Sequence, residues 1–219
     1  MDQLPLNFDH RPALGREDFL VAPCNEAAVA WLDRWPRWPA PALLLCGPTG
    51  CGKTHLVQVF RARSGARLLD PRALTVANLP LLLGNASAAI LDPAESAPEQ
   101  ALLHLYNLLA ERGGHLLLTA SAPPARWSIA LADLRSRLLA APVAEVAAPD
   151  EALIAALLIK LFADRQIEIG EDVIAYLAPR LERSFAAAQS AVALLDSAAL
   201  AARRRITVPL ARHALGWQG

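Results

Sequence analysis

One stretch limits the folds open to this chain more than any other. Gly47-Pro48-Thr49-Gly50-Cys51-Gly52-Lys53-Thr54 fits Gly-x-x-x-x-Gly-Lys-[Ser/Thr]. The apolar run Ala42–Cys46 ahead of it reads as a buried strand, and His55–Arg63 behind it reads as the helix the loop opens. Glycines let the backbone curl so that successive N–H groups face a phosphate chain. The helix N-terminus adds a partial positive charge, and Lys53 supplies a full one. Thr54 then presents its hydroxyl to a magnesium ion bridging the outer phosphates, and His55 closes the run expected to line the nucleotide. A chance glycine-rich turn is the bland alternative, and the complete motif with both flanks in place speaks against it.

Short apolar runs recur beyond the loop at Arg67–Asp70, Ala88–Asp92, His115–Thr119 and Val143–Val146. Helical patterns lie between them at Pro98–Glu111, with Leu102, Leu105, Tyr106 and Leu109 on one face, and at Ile129–Leu139. Strands alternating with helices give a parallel sheet with helices on both faces and a ligand at the carboxyl ends of the strands. After Pro149-Asp150 the strand signal stops. Asp150 is placed to cap a helix through Arg165, Glu171–Leu181 reads as helix, Ser184 caps a long Ala-rich helix to Arg204, and Pro209–Leu215 adds a short one. The expected fold is α/β, a P-loop parallel sheet flanked by helices and followed by a small all-helical domain, with boundaries at 1–12, 13–148 and 149–219.

Composition sets outer limits. The chain has 219 residues with 21 basic and 21 acidic side chains, so no global charge favours nucleic acid or membrane. The start lacks a basic n-region and an apolar h-region, which makes the expected location cytoplasmic, with no membrane partner. Cys24, Cys46 and Cys51 lack metal-ligand spacing and read as reduced thiols, Cys51 being an oxidation-sensitive position in the loop. Ahead of the sheet, Gln3-Leu4-Pro5-Leu6-Asn7-Phe8 reads as an extended peptide with spaced apolar anchors, suited to docking in another protein's pocket; an N-terminal strand or a disordered tip is the alternative. Asn25 reads as the N-cap of a helix over Glu26–Trp35, and Trp31, Trp35 and Trp38 read as core or interdomain packing, with a binding box as the alternative.

The order of parts resembles the DnaA-related AAA+ proteins of the Hda type over nearly the whole chain. The core motifs are those of AAA+ ATPases, and Gln3–Phe8 resembles the Gln-Leu-x-Leu type of sliding-clamp-binding motif. The resemblance implies docking of Gln3, Leu4, Leu6 and Phe8 on the sliding clamp (the beta subunit of DNA polymerase III). It also implies an adenine nucleotide, ADP or ATP, with magnesium held by Thr54 and Asp92, and a strip including Phe19, Leu20 and Val21 against the adenine. Ser121 falls at the sensor 1 position with Thr119 as fallback, strand-end capping being the plainer role for both. Arg137, in Leu134-Arg135-Ser136-Arg137-Leu138, aligns with the arginine finger that acts in trans, Arg135 being second choice and a solvated basic face the alternative.

Three departures bear on activity. Pro93 stands where the family has a second acid after Asp92, leaving Glu95 as the substitute; Ser121 is neutral; and Ala187 stands at the sensor 2 arginine, with Arg183 and Arg180 one turn earlier. The expectation is weak or no intrinsic ATPase and a role as regulator of the replication initiator DnaA, stimulating its ATP hydrolysis. An adaptor or loader-type relative and a free-standing AAA+ ATPase are the alternatives. Arg203-Arg204-Arg205 is the only dense basic run, so direct DNA contact is expected to be absent or weak. Self-association is left open.

Overall fold

A computed structural model describes residues 20–217 of the chain. Gln3, Leu4, Leu6, Phe8 and Phe19 lie outside the described residues, as does the whole 1–12 segment. The described residues fall into two compact units, residues 20–147 and residues 148–217.

The first unit is built on a five-stranded sheet in the order β2-β3-β4-β1-β5. Its strands are β1 (Ala42–Cys46), β2 (Arg67–Leu69), β3 (Ala88–Leu91), β4 (His115–Ala120) and β5 (Val143–Glu145). Every pairing is parallel, as strands separated by helices require. β1 lies inside the sheet, between β4 and β5, and is buried along its whole length, which is why it reads as an unbroken apolar run. Successive side chains of β1 go to opposite cores. Ala42, Leu44 and Cys46 join the cluster under α4 (Glu99–Glu111) and α5 (Ala132–Ala140), whereas Leu43 and Leu45 join the one under α1 (Glu26–Asp33) and α2 (Lys53–Ser64). The expected face of α4 is the buried one: Leu102, Leu105, Tyr106 and Leu109 all pack inward. Each large side chain buried this way contributes roughly 1.5–3 kcal/mol.

Trp38 is buried and stacks on Phe60 (centroids 5.4 Å apart), and Trp35 meets the same ring edge-on at 5.8 Å. Trp38 Nε1–H donates to Trp31 O at 2.8 Å, so the tryptophan group is packing, as expected. A short helix, α3 (Leu79–Leu83), was not legible in Leu79-Pro80-Leu81-Leu82-Leu83, which has no helical period.

Two expected boundaries move for local reasons. α1 stops at Asp33 because Pro36 follows, and α5 starts at Ala132 because the backbone of Leu131 ahead of it is extended (φ −74°, ψ 108°).

The second unit consists of α6 (Glu151–Asp164), α7 (Glu171–Leu177), α8 (Phe185–Ala202) and α9 (Val208–Ala214). The caps read from sequence are present: Asp150 Oδ1 accepts from Leu153 N–H at 2.8 Å, and Ser184 Oγ accepts from Ala187 N–H at 3.1 Å. α7 ends four residues short of the expected Leu181, since Pro179 cannot continue it. Among the described residues α8 is the one helix long and apolar enough to cross a membrane. Its Ala188, Ala191, Val192 and Leu195 are buried in the bundle.

Candidate nucleotide-binding site

β1 delivers the chain into the loop at Gly47, where nothing larger fits. Gly47 N–H donates to Ala120 O at 3.1 Å, and a Cβ built at this position would overlap Val146 O and stand 2.9 Å from Cys51 Sγ. Gly50 and Gly52 have φ of +79° and +104°, conformations that side chains disfavour. Gly52 is the N-cap of α2, so the unpaired N–H groups of a 12-residue helix face the loop. The Lys53 ammonium donates to Gly47 O at 2.7 Å and Pro48 O at 2.9 Å and lies 3.7 Å from Cys51 Sγ. Pro48, Thr49, Thr54 and His55 are exposed, whereas Cys51 is buried. No disulfide joins the cysteines. Burial, then the charges of Glu95 and Glu145, push the Cys46 thiol up to about 11, against the lowering effect of Lys53.

Parallel register pairs Leu91 with Leu118, so the next residues, Asp92 and Thr119, arrive side by side at the ends of β3 and β4. The wholly buried Thr119 donates its hydroxyl to Asp92 Oδ1. Thr54 Oγ1 donates to Asp92 Oδ2 at 3.1 Å. The structure thus brings together the two residues expected to hold magnesium and adds Thr119. Among the described residues no group of three or more His, Cys, Asp or Glu is arranged for a metal. One carboxylate and one hydroxyl suit an ion that keeps several waters and takes its other ligands from phosphates.

Ser121 lies one residue beyond β4, and its N–H and Oγ–H both donate to Glu95 Oε1, at 2.8 and 2.7 Å. Thr119 is therefore the neutral side chain on Asp92, and Ser121 the one on Glu95. Two apart in an extended chain, they share a face, and where β4 ends separates their roles.

Ahead of α1, Asn25 does not cap the helix with its side chain, contrary to expectation. Buried, it instead accepts from Ala22 N–H at 2.9 Å and donates to Leu20 O at 3.0 Å. It fixes the loop carrying Leu20 and Val21, and Val21 packs on the cluster that includes Cys51 and Leu56.

Arg137 faces Asp133 one turn earlier, with Nε–Oδ1 at 3.0 Å and Nη2–Oδ2 at 3.3 Å, and its guanidinium lies 5.5 Å from the Tyr106 ring. An exposed i,i+4 pair holds with only about 0.3–0.5 kcal/mol, so this guanidinium is readily released. Arg135 is exposed. In the second unit Arg180 stacks 4.2 Å over Tyr176 and donates to its carbonyl, and Arg183 and Arg203–Arg205 are exposed.

Residues 150–215 match the family described as Hda, lid domain. The chain is 30% identical over 241 residues to the chromosomal replication initiator protein DnaA of Sphingopyxis alaskensis, an alignment covering 96% of this chain and 52% of that protein. It therefore spans about half the length of that relative. Domain III of the Thermotoga maritima replication initiation protein DnaA superposes with a TM-score of 0.74 at 19% identity, over 90% of this chain and 93% of that one. AMPPCP-bound DnaA from Aquifex aeolicus gives a TM-score of 0.69 at 17% identity, over 86% and 66%. Both likenesses are of fold. With the P-loop, the parallel sheet and the matching C-terminal helices, the chain is a DnaA-related AAA+ protein whose C-terminal unit is a lid of the Hda type.

Proposed function

We propose that this chain binds an adenine nucleotide, docks on the sliding clamp through Gln3, Leu4, Leu6 and Phe8, and stimulates ATP hydrolysis by the initiator DnaA with Arg137. The observation that carries the reading is the setting of Asp92. Both of its carboxylate oxygens accept from hydroxyls, Thr54 and Thr119, and the next residue is Pro93. That is an arrangement for holding a nucleotide with little provision for activating water beside it. The nucleotide-bound relative from Aquifex aeolicus shares the fold and supports an adenine nucleotide here. Lys53 and the α2 N–H groups would hold its phosphates, and Thr54 and Asp92 its magnesium, which when bound neutralises phosphate charge.

Arg137 is the reactive element in trans. A guanidinium placed on the charge that develops in phosphoryl transfer is worth roughly 10³–10⁵ in rate. Here it sits at a helix surface, held by one weak ion pair.

The test is initiator ATP turnover with this chain and DNA-loaded clamp. Stimulation lost in Arg137→Ala supports the finger, and stimulation lost when Gln3, Leu6 and Phe8 are changed together to Ala supports the docking. Full stimulation by either variant overturns the corresponding half.

A further inference from the structure

α5 begins without a cap of its own. Its N-cap residue is Leu131, which has no side-chain acceptor, and Ile129 and Ala130 ahead of it are no better supplied. The first N–H groups of a helix still require partners. Glu99, the first residue of α4, supplies one for the N-cap residue and another for the residue before it: Oε2 accepts from Leu131 N–H at 2.8 Å and Oε1 from Ala130 N–H at 3.0 Å. With one amide on each oxygen, the plane of the carboxylate is fixed. These two bonds hold the Glu99 carboxyl below its usual range, so it is ionised at neutral pH, and its charge lies at the positive end of α5. Farther along, Leu134 and Leu138 bury in the cluster that contains Leu102 and Leu105, and Arg137 lies over Tyr106. α5 is therefore fastened to α4 at its start and again at the turn carrying Arg137.

We propose that Glu99 is a positioning residue for Arg137: its two charge-assisted bonds to Ala130 and Leu131 fix where and at what angle α5 begins, and so the direction in which the guanidinium is presented. The inference rests on the trans-acting role of Arg137 set out above. Arg137 lies about 9 Å along the helix axis from Leu131, so a slight tilt at the start displaces its guanidinium by on the order of 1 Å. A misplacement of that size costs about a hundredfold in rate. Gln at this position offers a single oxygen acceptor and turns an NH₂ donor toward the second amide, so it keeps one bond at most and no charge.

The experiment is clamp-dependent initiator ATP turnover titrated with full-length chain, comparing wild type, Glu99→Ala, Glu99→Gln, Arg137→Ala and the Glu99→Ala/Arg137→Ala double variant. Hydrogen exchange is read on the same proteins. Maximal stimulation is expected to fall roughly tenfold to a hundredfold in Glu99→Ala and less in Glu99→Gln, with the half-saturating concentration unchanged. The double variant should be no worse than Arg137→Ala alone. Exchange should accelerate at Ala130, Leu131 and the first turn of α5 while β4 stays protected. Maximal stimulation by Glu99→Ala within twofold of wild type overturns the inference, as does a rise in half-saturation alone. Should Glu99→Ala lose protection throughout the sheet, Glu99→Gln decides by the same criteria. Undiminished stimulation by Arg137→Ala removes the finger itself, a different failure from that of Glu99.

Discussion

Gly47→Ala gives the most direct test of why the loop has its shape. The added methyl would overlap Val146 O and come within 2.9 Å of Cys51 Sγ. Neither obstacle yields easily. Val146 is tied to β1 by its N–H bond to Cys46 O at 2.7 Å, Gly47 itself is tied to Ala120 O, and Cys51 is 1% exposed. Overpacking a tight interior costs about 1–3 kcal/mol, and with a backbone carbonyl as the obstacle the upper end, about 3 kcal/mol, is expected. At about 2 kcal/mol/M for urea, that moves the midpoint of the first unit down by roughly 1.5 M. Tryptophan fluorescence reports it cleanly, because Trp31, Trp35, Trp38 and Trp127 lie in this unit and only Trp217 lies in the other. Gly65→Ala is the control: Gly65 also has positive φ, +67°, but open space around it, so its loss should be only about 1 kcal/mol. Equal midpoints for Gly47→Ala and wild type would refute the steric argument, and equal shifts for the two variants would refute its attribution to contact.

Other perturbations address other parts. Thr119→Val keeps the shape but removes the donor to Asp92, and titration calorimetry should show magnesium-dependent nucleotide affinity roughly tenfold weaker, about 1.4 kcal/mol, with little change when magnesium is chelated. Asp150→Ala and Ser184→Ala each delete a helix cap in the second unit and should lower its stability by about 1 kcal/mol in urea melts followed at Trp217. Cys46 should resist iodoacetamide at pH 8 until the protein unfolds. Because its folded value is raised, the stability it contributes holds below the ordinary thiol range and is lost as pH climbs through about 11. Glu99 has the opposite sign: its folded value is depressed, so its bonds to α5 persist above the usual carboxylate range and fail as pH falls below it, which exchange at Leu131 would show as an acid-side loss of protection.

The site was legible wherever function demands consecutive residues. Gly47–Thr54 announces strand, loop and helix together, and Asp92 is marked by ending an apolar run. Asp150 and Ser184 were readable as caps because each precedes a helical period. Asn25 stood in the same kind of position, yet its side chain turned back to the loop, since a buried amide can serve a donor and an acceptor there at once. Long-range partners were the hidden part. Nothing in the sequence near Leu131 points to Glu99, and the choice between Thr119 and Ser121 depends on the strand register that sets Asp92 beside one of them.

The order of the sheet also dictates when it can form. β1 carries the phosphate loop and is the first strand among the described residues, but its neighbours are β4 and β5, the last two of them. Ala42 pairs with Leu116 and Cys46 with Glu145. Closing such long loops must precede any reward from strand pairing, which places this unit among slowly folding topologies. On the ribosome Leu43, Leu44 and Leu45 therefore wait, fully apolar and without a neighbouring strand, until nearly the whole first unit has emerged. The helices of the second unit pack near neighbours in sequence and close quickly once made.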